Sequence, residues 1–269
     1  MSFFMREICQ KKLPISPWDK DVTAKLPGIQ PLKKNSLFLV DDAFNQQMQY
    51  RDHLIRENRR KVFQFNIAAQ EAATELLELV LENLRDSRGY SINGSQIIRP
   101  DRKVISLKND NELIIAGSLV QEDLLILDWD KKLREHVLVG GVLCFPALWT
   151  LEEKMNKPMS RIHRPVEHYT EKVSKIVQRM FDNLQPDTAL WRANWYLYSN
   201  PELFSPQKES LSHTTQKSFF EGNFWVRVER QTIFKLPQSN AIIFGIHTFV
   251  VHRSSLSPDQ ILSLKKNHD

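Results

Sequence analysis

Residues 224–236 read FWVRVERQTIFKL, a run in which β-branched and aromatic residues alternate with charged and polar ones. Side chains along a strand point alternately to its two faces. Arg227, Glu229, Gln231 and Ile233 therefore share one face, and Val226, Val228, Arg230 and Thr232 share the other. The same rule applied to residues 191–198, WRANWYLY, sets Arg192, Asn194, Tyr196 and Tyr198 opposite Trp191, Ala193, Trp195 and Leu197. One face of each strand is unusually polar for the core of a sheet. Two outcomes fit this spacing equally: a solvated face laced by cross-strand ion pairs, or a buried pocket where an arginine fork holds an anion and Glu229 a cationic amine.

Working outward, residues 241–251 read as a third strand. Upstream, the block 113–149 reads as sheet: an apolar run at 119–127 around a single QED step, a turn at 128–132, and a β-branched run at 136–145. Between these groups lie a short helix at 151–155 and a long amphipathic helix at 167–184. The long helix carries Tyr169, Val173, Ile176, Val177, Met180 and Phe181 on one stripe and is stopped by Pro186. The order strand, strand, short helices, long helix and three strands predicts an α+β fold, a PAS-like antiparallel five-stranded sheet covered by helices. Turn-spaced apolar residues predict two further helices at 44–55 and 67–84, with a turn at 85–93. Pro14, Pro17, Pro27 and Pro31 make the first forty residues an extended arm. The expected organisation is an N-terminal arm and helical cap over 1–110, a core over 111–255 and a C-terminal tail over 256–269, integrated as one domain.

Composition removes several function classes. A 269-residue chain that is 41% hydrophobic supports a substantial core. The net charge of +5 is spread thin, because the basic runs at Arg56, Arg59, Arg60 and Lys61 and at Lys131, Lys132 and Arg134 are broken by Glu57 and Glu135. This is the pattern of a solvated face or an acidic-protein contact rather than of a nucleic-acid arm. Cys9 and Cys144 are too few for an iron–sulfur cluster. No apolar run reaches the length of a membrane span, and no signal-peptide core is evident, so a cytoplasmic location is expected. Dinucleotide, Walker, zinc-protease and serine-hydrolase motifs are missing from the sequence.

Of eight histidines, His163 stands apart. It lies in RIHRPVEHY, residues 161–169, where Pro165 restricts the preceding backbone just ahead of the long helix. A neutral imidazole fixed by its neighbours is the commonest proximal haem ligand, whereas a histidine in this position also serves simply to hydrogen-bond the start of a helix. His168, His247 and the thiol of Cys144 are weaker competitors.

Four blocks in order carry a family resemblance: LVQEDLLIL from Leu119, GGVLCFPALWTLEEKMNKPMSRIHRPVEHY from Gly140, LWRANW from Leu190 and RVERQTIFKLPQSNAIIFGIHTFV from Arg227. They are similar to the signature blocks of the haem-dependent oxidative N-demethylase alpha-subunit-like family, and the likeness extends over nearly the whole chain. The resemblance implies haem b on a PAS-like scaffold and oxidative N-demethylation of a small secondary amine with O2. It places the flavin and iron–sulfur centres that supply electrons in a separate reductase. It implies His163 as the axial iron ligand, Arg192, Asn194, Arg230 and Tyr196 as haem-pocket residues, and Glu229, Arg227 and Arg192 as catalytic residues. Glu167 and Tyr196 depart from the family pattern, which leaves the helix start and the pocket size open. A non-catalytic haem gas sensor and a cofactor-free binding module remain alternatives on the same scaffold, and a homodimer remains open.

Overall fold

The alternating run at 224–236 is the centre of a large antiparallel sheet in the computed structural model, which describes residues 8–19, 28–33, 36–165, 169–210 and 222–267. In chain order the main elements are β1 (Gln30–Leu32), α1 (Phe44–Glu57), α2 (Arg59–Val62), β2 (Phe63–Phe65) and α3 (Gln70–Arg85). A small sheet follows, of β3 (Ser91–Asn93), β4 (Gln96–Ile98) and β5 (Val104–Ser106), and then α4 (Glu112–Leu119). The core continues with β6 (Asp123–Asp130), β7 (Glu135–Val142), α5 (Leu151–Lys154), α6 (Met159–Ile162) and α7 (Glu171–Asn183). It closes with β8 (Ala189–Tyr198), β9 (Trp225–Lys235), β10 (Ile242–His252) and α8 (Pro258–Lys266).

The main sheet has the order β1-β8-β9-β10-β6-β7-β2, with every pairing antiparallel. It thus has seven strands rather than the expected five. The five long strands are those read from the sequence, and β1 and β2, three residues each, cover their outer edges. Strands this short carry too little alternation to announce themselves, yet they blunt edges that would otherwise be left unpaired.

Three other expectations are corrected. Residues 112–119 form a helix rather than sheet, started by the Asn111 side chain accepting from Leu113 N at 3.0 Å. Leu113, Ile114, Ile115, Ala116 and Leu119 are all buried, and a helix that is apolar all round has no period to distinguish it from a strand. The expected turn at 85–93 ends inside the small sheet, where Gly94 (φ 56°) reverses the chain between β3 and β4. The C-terminal tail contains α8, held by a capping box between Ser257 and Gln260. The long helix starts at Glu171, while Glu167 and His168 lie outside the described residues.

Helices cover both faces of the sheet. On one, Leu54, Leu76, Val80 and Leu113 pack with Ile126, Phe234 and Ile243 beneath α1, α3 and α4. The described part of the N-terminal arm is also built in: Leu13 and Trp18 join Val226, Val228, Phe249 and Val251, and Trp18 meets Trp195 edge-on at 5.3 Å. On the other face, Leu151, Met155, Phe181 and Leu184 of the α5–α7 layer close over Leu125, Leu127, Leu138, Ile233, Ile242 and Ile246. Gly141 makes that contact close, since a Cβ there would sit 2.7 Å from Leu125 and 2.9 Å from Leu151. Among the described residues, no helix is long and apolar enough to cross a membrane.

Candidate functional site

Pairing of β8 with β9 sets Tyr196 beside Arg227, Asn194 beside Glu229 and Arg192 beside Gln231, and β10 adds Thr248 next to Glu229. All of these point toward the α5–α7 layer, so the polar face read from the sequence is an interior one. Arg227 and Glu229 are buried. The Arg227 guanidinium donates to the Leu203 carbonyl at 3.1 Å, to the Phe145 carbonyl, and to Glu229 Oε1 at 3.3 Å. Gln231 donates to the other oxygen, Glu229 Oε2, at 3.3 Å. Burial pushes the Glu229 carboxyl above the usual carboxylate range, and Arg227 opposes that rise.

A second buried pair adjoins the first. Arg51 of α1 donates to Asp123 at 2.9 Å and to the Gln121 carbonyl at 2.6 Å, and its guanidinium lies 4.8 Å from the centroid of the Phe145 ring. Asp123 also accepts from the Cys144 and Phe145 amides at 2.7 and 2.9 Å. Phe145 thus stands between two ion pairs, held through its N–H by one and its carbonyl by the other. The Cys144 thiol is fully buried and burial pushes it up to about 12, which makes it a neutral hydrophobe rather than a thiolate ligand.

Arg192 is different in kind. Its Nη2 donates to Asn194 Oδ1 at 2.5 Å, and no carboxylate among the described residues pairs with it. Burial lowers its pKa, opposed only at longer range by Tyr196 and Glu229. Across the site stand three cations, Arg51, Arg192 and Arg227, against two carboxylates, Asp123 and Glu229. Six buried polar atoms of the site also have no hydrogen-bond partner among the described residues: Arg51 Nε and Nη1, Arg192 Nε, Arg227 Nε, Tyr198 OH and Thr248 Oγ1. Native interiors leave few such groups unmatched, so this concentration marks a place where a ligand or water completes the bonding.

His163 comes to the same face from the helical layer, just after α6. Its Nδ1 donates to the Met159 carbonyl at 3.1 Å, its ring stacks on Tyr169 at 4.3 Å, and Nε2 is left for another partner. A ligating histidine is held in this way, with one nitrogen tied to a carbonyl so that the other is correctly aimed. Burial lowers the imidazole pKa, its bond to Met159 opposes this, and the charges of Lys154 and Arg192 lower it further. The ring is therefore neutral at pH 7, as metal ligation requires. Apolar surface for a flat ring is also at hand. Only Phe181 of α7 is buried, while Val177 and Met180, with Ile162, Leu190 and Phe244, are half-buried against the same apolar cluster. The imidazole, the unmatched donors and the incompletely covered apolar side chains suit an iron porphyrin carrying carboxylates.

The structure does not bring all the expected site residues together. His163, Arg192, Asn194, Arg227 and Glu229 gather at one face, and Tyr196, 37% exposed, stands at its rim. Arg230 lies on the opposite face and donates to the Ser36 carbonyl at 2.5 Å and the Leu37 carbonyl at 3.4 Å. Strand alternation already placed it there, against its assignment to the pocket. His247 is on that opposite face too, with both ring nitrogens engaged by Glu122 and Asp41 at 3.0 and 3.1 Å, so it has no nitrogen to offer a metal. His168 lies outside the described residues. Sequence reasoning missed Arg51, Asp123 and Thr248, and set Tyr198 on the polar face without giving it a role in the site. A signal existed for Asp123, since a carboxylate inside the apolar run 119–127 requires a buried partner.

The chain matches, over residues 28–263, the family described as haem-dependent oxidative N-demethylase, alpha subunit-like. That span takes in the central sheet, both helical layers and every residue of the site, and the chain belongs to this family.

Proposed function

We propose that the chain binds haem b between the α5–α7 layer and the β8–β9 face, and oxidises a small secondary amine there with O2, releasing the methyl group as formaldehyde. The observation that carries this reading is His163: a neutral imidazole with its Nδ1 tied to Met159, close enough to Arg192 to feel its charge, and Arg192 Nε has no hydrogen-bond partner among the described residues. Haem would supply the redox chemistry that couples oxygen to amine oxidation. His163 Nε2 would hold the iron, and Arg192 would bind a propionate, the carboxylate this half-buried guanidinium lacks. Once that third cation is neutralised, Glu229 is free to serve the amine: its raised pKa suits it to accept a proton from a substrate ammonium at Oε2, leaving the nitrogen lone pair available. Arg227 and Gln231 position the carboxylate, and the helical layer limits access of water. The strand order supports a PAS-like scaffold, because β6 and β7 precede the helices and β10 returns to pair with β6. An alpha-subunit-like chain with two cysteines takes its electrons from a separate flavin- or iron–sulfur-containing reductase.

The test is a hemin titration followed in the visible region. Wild type is expected to develop a Soret band with one equivalent of hemin, and His163→Ala to shift or lose it while keeping its circular dichroism. The loaded protein, given a reductant and a panel of methylamines, is expected to consume oxygen and release formaldehyde. An unchanged Soret band in His163→Ala removes the ligand assignment, and a loaded protein inert toward the whole panel removes the reaction.

A further inference from the structure

The β6–β7 hairpin and α7 meet along one edge of the molecule. Gln178 joins them, accepting from the His136 amide at 3.1 Å and bonding the His136 ring at 2.7 Å. Between them runs a cavity of about 510 Å³ whose lining includes Leu133, Arg134, Ser160, Arg164, Tyr169 and Lys175. Its surroundings are basic and partly apolar. Lys131, Lys132, Arg134, Arg164, Lys172 and Arg179 are exposed, and no carboxylate among the described residues forms an ion pair with any of them. The neighbouring acids are engaged locally: Asp130 accepts from the Lys132 and Leu133 amides, Glu135 from Ser160, and Glu171 pairs with Lys175. Leu133, Ile176 and Trp129 stand 52%, 51% and 40% exposed on the same edge. Apolar side chains within a rim of unpaired like charge are the composition of a docking face for a partner of opposite charge.

The floor of this groove is what gives it a role. Tyr169 lines the cavity and stacks on His163 at 4.3 Å with the ring planes 18° apart, and the charge of Arg192 acts on His163 from the sheet. The groove is therefore one aromatic ring away from the imidazole assigned to the iron. We propose that this basic groove is the docking face for an acidic one-electron carrier protein, with the Tyr169–His163 stack as the contact path inward. In each productive encounter the carrier's reduced centre would lose one electron to the haem that His163 would hold, and no group or atom would be transferred. The electron-transfer half of this proposal rests on the haem reading above, whereas the docking half does not.

The experiment uses an acidic plant-type [2Fe–2S] ferredoxin as probe, titrated into the full chain by calorimetry, which needs no haem. The triple variant Lys131→Glu, Lys172→Glu, Arg179→Glu is expected to weaken binding by roughly tenfold or more, and raising the ionic strength from about 20 to about 500 mM to do the same in wild type. The neutral triple to Gln is expected to fall between, which guards against a misfolded reversal. Arg60→Glu with Lys61→Glu, on α2 beyond the other end of β7, is the control and is expected to bind as wild type. Equal weakening by patch and control variants, or binding indifferent to salt, overturns the docking face. With hemin bound, Tyr169→Leu is expected to slow reduction by photoreduced ferredoxin roughly fivefold or more and to leave reduction by dithionite unchanged; equal rates with ferredoxin overturn the path. A chain that binds ferredoxin through the patch but forms no Soret band refutes the haem reading alone.

Discussion

The two faces of the sheet each bury a polar cluster, and the clusters differ in how completely they are bonded. Toward α1, the His247 imidazolium donates from Nδ1 to Glu122 and from Nε2 to Asp41. Asp41 also accepts from Gln10 at 2.7 Å and Gln121 at 2.9 Å, while Gln121 donates to Gln47 at 3.0 Å and Glu122 accepts from Leu39 N at 2.9 Å. One atom of this set, Glu122 Oε2, has no partner among the described residues. Toward α7, four atoms of Arg192, Arg227, Tyr198 and Thr248 and two of the adjoining Arg51 have none, and Arg192 pairs with no carboxylate among the described residues. The first cluster is closed on itself and clamps the arm residues Gln10 and Asp41 to β10. The second is left incompletely bonded. Bonding completeness, rather than polarity or burial, separates the structural cluster from the candidate site.

This contrast can be broken by mutation. His247→Phe takes the cation away from the buried Glu122 and the half-buried Asp41 and is expected to cost about 3–5 kcal/mol in urea unfolding while leaving the hemin titration unchanged. Wild-type stability should also depend on pH through the same residue. Burial works against the His247 charge, but Glu122 and the hydrogen bonds to Asp41 and Glu122 prevail and raise the pKa to about 9. A histidine raised in the folded state stabilises fully below its unfolded pKa of about 6.5, and that contribution is lost as the pH climbs through 9. About 3 kcal/mol should disappear across that window in wild type, and His247→Gln should flatten the alkaline decline.

Smaller effects sharpen the comparison. Arg230→Met removes donors to the Ser36 and Leu37 carbonyls and is expected to cost about 2 kcal/mol, with an unaltered haem spectrum. Arg192→Met removes a half-buried cation that has no carboxylate partner among the described residues, so stability should change by less than about 1 kcal/mol while hemin affinity falls roughly tenfold. If Arg192→Met proves the more destabilising of these two and binds hemin as wild type does, the contrast between the faces fails.

Much of the site was legible because strand alternation is strict. Arg192, Asn194 and Tyr196 fall on one side of β8, and Arg227 and Glu229 on the matching side of β9, as the period of two requires. The five long strands, α1, α3 and α7 were equally readable, each by its period. Helix α4 was not, because an element buried on every side displays no period, and β1 and β2 were too short to display one. Arg51 gave no sign of its role, since its partner Asp123 lies 72 residues along the chain.

The sequence by itself determined which side chains share a face, where the chain turns, and that His163 precedes a helix with an apolar stripe. Tertiary structure decided which polar face is left incompletely bonded, that Arg230 and His247 belong to the closed cluster, and that His163 arrives opposite Arg192. The reason is that periodicity acts within one element, whereas the partner that satisfies a buried charge is delivered by another element remote in sequence. Only the packed layers bring the two together.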